Sequence, residues 1–124
     1  MPSRLASNYP QLQRELDAVI PSEALEMAVR IVLWAASEAG LDRRDIVRTL
    51  AKNDAGLFDE LCAEMEEQQF TLFEYGDTRH LAFFNKARAY NASAWLVRGV
   101  PHEAIYESIF ATDKPFVMND FFRS

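Results

Sequence analysis

Between Ala24 and Ala36 only Glu26 and Arg30 interrupt a run of apolar residues. A helix that is apolar on nearly every side has to be surrounded by other elements, so this stretch predicts the middle of a helical bundle. The polar positions Glu23, Glu26, Arg30 and Ser37 fall in one narrow stripe at about 100° per residue, leaving little of the helix wet. Ser22 is a suitable N-cap and Gly40 a suitable C′ residue, which sets the central helix at residues 22–39. The charges it carries, Glu23, Glu26, Arg30 and Glu38, argue against a membrane span.

The rest of the chain supplies helices to pack around it. Pro10 opens a first helix over 10–20, with Leu12, Leu16, Val19 and Ile20 at helical spacing, and Pro21 stops it. Asp42 caps a short helix to about residue 53, in which Ile46, Val47 and Leu50 turn inward. Asp54 caps another over 55–69, with Leu57, Phe58, Leu61, Cys62 and Met65 inward. Residues 70–75 fit either a helical extension or an extended piece, and Gly76 ends them in both cases.

A second broad apolar helix follows over 78–98, where Phe83, Ala87, Tyr90, Ala94 and Val97 form a stripe widened by Leu81, Phe84 and Trp95. Gly99 closes it, and Pro101 opens a last helix that buries Ile105, Tyr106, Ile109 and Phe110. A chain of 124 residues with this pattern predicts one all-α domain over 1–124, a compact bundle of about six helices around two central apolar ones. Residues 1–9 are expected to be loose. Residues 114–124 form an aromatic tail containing Phe116, Phe121 and Phe122, which has to dock on its own domain or on a partner, including a second copy of the chain.

Charge is distributed unevenly. Arg43, Arg44, Arg48 and Lys52 are concentrated in ten residues, and no basic residue then appears until Arg79. Asp54, Asp59, Glu60, Glu64, Glu66, Glu67, Glu74 and Asp77 all fall in that gap. The short helix therefore has a basic outer face, where Arg44, Arg48 and Lys52 follow each other at four-residue spacing, and the next helix has an acidic one.

Two binding modes follow from these faces. The spacing from Ile31 to Leu50, with Ala36 before Gly40 and Ile46 and Leu50 after it, is similar to a helix-turn-helix. Arg43, Arg44, Arg48 and Lys52 would then contact DNA. A glycine-capped helical hairpin gives the same pattern without DNA, and a net charge of −6, from 19 acids against 13 bases, works against a polyanion ligand. The other mode uses Asp59, Glu60, Glu64, Glu66 and Glu67 against a basic surface on another protein, as an inhibitor, immunity protein or adaptor would.

Signals for catalysis or a metal are thin. Neither His80 nor His102 is preceded by Glu at the Glu-x-x-His spacing of di-metal bundles, so no metal or other cofactor is expected. Cys62 falls among apolar residues where a thiol is inert, and no nucleophile or phosphate loop accompanies the histidines. One cysteine and an N-terminus without the apolar run of a signal peptide lead to the expectation of a cytoplasmic, non-enzymatic binding protein.

Overall fold

The computed structural model describes residues 4–121. Every regular element among them is helical: α1 (Arg4–Asn8), α2 (Pro10–Asp17), α3 (Pro21–Glu38), α4 (Arg43–Leu50), α5 (Ala55–Glu74), α6 (His80–Val97) and α7 (Pro101–Ile109), then a 3₁₀ turn at Met118–Asp120. The all-α bundle expected from the sequence is the fold. The additional helix is α1, in the segment expected to be loose, where Leu5 is completely buried and Arg4 reaches across to Glu103 and Glu107 on α7.

The two apolar helices are central, as their composition requires. α3 packs on α6 and α7, α6 packs on α5 and α7, and α4 bridges α3 and α6. Alanine dominates where they meet: Ala28, Ala35, Ala36, Ala87, Ala89, Ala92, Ala94 and Ala104 are all fully buried. Small side chains let helix axes approach closely, and the larger residues Leu16, Ile31, Val32, Phe58 and Ile105 fill the space left at the edges of the contact.

Helix boundaries follow local chemistry. The Asp42 carboxylate accepts from the Arg44 amide at 2.8 Å and that of Asp54 from the Gly56 amide at 2.9 Å, so both expected caps are in place. Gly40 adopts φ 87°, and the Leu41 amide donates to the Ala36 carbonyl at 2.9 Å, which closes α3 as a left-handed cap. Ser22, in contrast, caps nothing. Pro21 occupies the first turn of α3 and steers Ile20 to an extended ψ of 155°, so the helix starts one residue earlier than expected.

Of residues 70–75, all but Tyr75, which caps the end, are helix. α5 runs for 20 residues, about 30 Å, and turns at Gly76 (φ 68°). The turn is closed by Asp77, whose carboxylate accepts from the Arg79 amide at 2.9 Å and also holds the Arg79 guanidinium, so α6 begins at His80 and not at Thr78. Several positions expected inside are exposed: Ile20, Leu25, Val47, Leu81 and Phe110. Each lies on an apolar stripe, but no neighbouring helix covers that part of it.

Candidate partner-binding surface

Glu60, Glu64, Glu67 and Glu74 recur at three-, four- and seven-residue intervals on α5, and all four are exposed. Such spacing stacks them along one helix face. None of their carboxylates has an ion-pair or hydrogen-bond partner among the described residues. Asp59 is also exposed, but the guanidinium of Arg98, the residue that follows α6, bridges to it. Glu66 departs from the expected outward set: it is half-buried, accepts from the Cys62 thiol at 3.4 Å and pairs with Arg88 at 3.5 Å. One residue of displacement along the helix, about 100° of rotation, separates the inward Glu66 from the outward Glu67.

Arg43, Arg44, Arg48 and Lys52 are exposed on and just after α4. Among the described residues their one ion pair is local, Arg48 to Asp45 at 3.6 Å, and none reaches a carboxylate of α5. The two charged faces are therefore not consumed by each other. Burial pushes the Tyr90 hydroxyl up, and the charges of Asp45 on α4 and Glu64 on α5 push it further. A polyanion approaching α4 would meet Asp45 among the cations.

The tail docks on its own domain through Phe116 and Phe121. Their rings stack 5.3 Å apart and both meet Trp34 edge-on, at 6.0 and 5.7 Å. Phe122 lies outside the described residues. Between the start of α2, the end of α7 and the tail runs a groove of about 720 Å³ whose walls include Tyr9, Arg14, Phe110 and Lys114.

The strongest buried electrostatics lie elsewhere. Glu107 on α7, only 4% exposed, accepts from Arg4 at 2.9 Å and from Arg88 at 3.1 Å. The Arg4 guanidinium also lies 4.5 Å over the Tyr106 ring, and that of Arg88 lies 5.7 Å over Phe84. A carboxylate taken out of water needs such partners. The string Glu66, Arg88, Glu107, Arg4, Glu103 thus joins α5, α6, α7 and α1. Burial, then the neighbouring Glu66, pushes the Cys62 thiol up to about 12, so it stays protonated and unreactive at neutral pH. His80 sits edge-on to Phe73, and the His102 ring is 3.4 Å from Asp17. Among the described residues no group of three His, Cys, Asp or Glu converges to hold a metal ion, and no helix is long and apolar enough to cross a membrane.

Sequence reasoning missed one surface feature. Phe70, Phe73, Tyr75 and Leu81, at the turn end of the α5–α6 hairpin, are 62, 64, 84 and 57% exposed. The signal was in the sequence, as aromatic residues that follow the acidic stripe without a break in helical spacing, but it reads equally well as a core face. Comparison with protein-family models, curated proteins and solved structures finds no match to this chain.

Proposed function

We infer that the protein is a non-enzymatic binding module whose acidic α5 face engages a basic surface on another protein, in the manner of an inhibitor, immunity protein or adaptor. The observation that carries this reading is the row Glu60, Glu64, Glu67: three exposed carboxylates that form no ion pair or hydrogen bond among the described residues. An unneutralised stripe of one sign raises the on-rate of an oppositely charged partner and rejects partners of like charge. Asp59 lies at the border of the face and Glu66 supports it from within. The tail is left out of the interface because Phe116 and Phe121 are already engaged by Trp34.

The test is affinity capture from the source cells followed by titration of the purified partner. Replacing Glu60, Glu64 and Glu67 together by Lys should weaken that partner at least tenfold, about 1.4 kcal/mol, with the far-UV circular dichroism unchanged. A partner that binds the triple variant with wild-type affinity overturns the reading. A second reading, a helix-turn-helix regulator, is favoured by the exposure of Arg43, Arg44, Arg48 and Lys52 outside any bridge to α5. Duplex DNA serves as the parallel arm of the titration, where salt-dependent binding lost in Arg44→Ala/Arg48→Ala would support it.

A further inference from the structure

From Ala63 to Lys86, the outer half of the α5–α6 hairpin, no residue is buried. The stretch nevertheless carries Met65, Phe70, Leu72, Phe73, Tyr75, Leu81, Phe83 and Phe84. α5 packs principally on α6, and the buried positions of α6 begin only at Ala87, so this half of the hairpin is held chiefly by its own two helices, with Phe84 at its base beside Tyr106 and Phe110. Large aromatic side chains presented on a rigid two-helix element are the usual anchors of a protein interface. Phe70 lies three residues after Glu67 and four before Glu74, which places an unpaired carboxylate on each side of its ring along the helix.

Charge selects the occupant. The stretch from 63 to 86 holds five acids, Glu64, Glu66, Glu67, Glu74 and Asp77, against two bases, Arg79 and Lys86. Both bases are engaged, Arg79 by Asp77 and Lys86 over the Phe83 ring at 5.4 Å. A second copy docked symmetrically through the same end would bring like-charged stripes together, and an anionic lipid surface would be repelled by them. We propose that the outer end of the α5–α6 hairpin is the apolar anchor of the interface, seating Phe70, Phe73, Tyr75 and Leu81 in an apolar cleft of a partner protein whose rim is basic. This rests on the acidic-face reading and adds a division of labour. The carboxylates govern encounter and the aromatic end governs residence time.

Two synthetic probes of equal length and charge separate the contributions: an amphipathic lysine–leucine helix and a lysine–serine peptide, each titrated at low salt and at about 0.5 M salt. The wild-type protein should prefer the lysine–leucine peptide by at least tenfold. Phe70→Gln/Phe73→Gln should abolish that preference and leave the lysine–serine affinity within about twofold. Leu81→Gln, on the other helix, should reduce the preference independently. Both phenylalanines are more than three-fifths exposed, so the variants should keep the wild-type melting temperature.

Equal affinity of the wild type for both peptides, or a preference that survives Phe70→Gln/Phe73→Gln, overturns the anchor. So does a wild-type dimer in sedimentation that the same variant converts to monomer, because the occupant is then a second copy. Loss of neither peptide on changing Glu60, Glu64 and Glu67 to Gln counts instead against the acidic face itself, and that outcome is distinguishable from the others.

Discussion

The two halves of α6 are built on opposite principles. From Ala87 to Leu96 the helix is held between α3, α5 and α7, and its buried residues are Ala87, Ala89, Ala92, Ser93, Ala94 and Leu96. From His80 to Lys86 it meets α5, and although it carries Leu81, Phe83 and Phe84 none of them is buried. The exposed half carries three large apolar side chains and buries none, whereas the enclosed half buries mostly alanine. Burial here follows how closely other helices approach, and close approach selects alanine. Apolar volume without that approach becomes surface.

The contrast can be broken first where it is strongest. Phe58 on α5 is the largest fully buried side chain and lies in the cluster with Leu33, Ile46 and Ala89. Phe58→Ala should cost about 3–5 kcal/mol in urea unfolding, by lost transfer energy and the cavity left behind. Glu107→Gln should cost less, about 2 kcal/mol, because it leaves the two guanidiniums with a neutral acceptor. The half-exposed Arg4 can partly recover by hydration, and a double-mutant cycle with Arg88→Met checks the coupling.

The smallest effect belongs to the outer end and depends on pH. The Arg79 side chain, and then its amide, hold the Asp77 carboxyl down to about 2, below the value of 3.8 for a free aspartate. A depressed carboxyl contributes stability above its unfolded value and loses that contribution as pH falls from about 4 towards about 2. Amide protection factors in the turn at 76–80 should therefore fall across that window, and Asp77→Asn should remove the dependence while leaving the body unchanged.

How much of this was legible in the sequence varied with the range of the interaction. Asp42, Asp54 and Gly40 act on backbone within a few residues, so their roles could be read directly. The outward direction of Glu60, Glu64 and Glu67 was readable as well, because the apolar residues opposite them fix the rotation of α5. Glu66 was not, since its inward turn depends on Arg88 lying 22 residues away. α1 was missed for the same reason: its hold on the body comes from a buried Leu5 and from Arg4 meeting α7 about a hundred residues on. Val47, Leu81 and Phe110 had the correct periodicity, but periodicity says which side of a helix is apolar and not whether anything comes to cover it.

The packing of Phe116 and Phe121 on Trp34 also has an optical consequence. Trp34 and Trp95, the two tryptophans of the chain, both pack against the core of the body, and the outer hairpin contains none. Intrinsic tryptophan emission is thus a local reporter. It would redden when the tail leaves Trp34, and a partner that seats only Phe70 and Phe73 would leave it dark to the event.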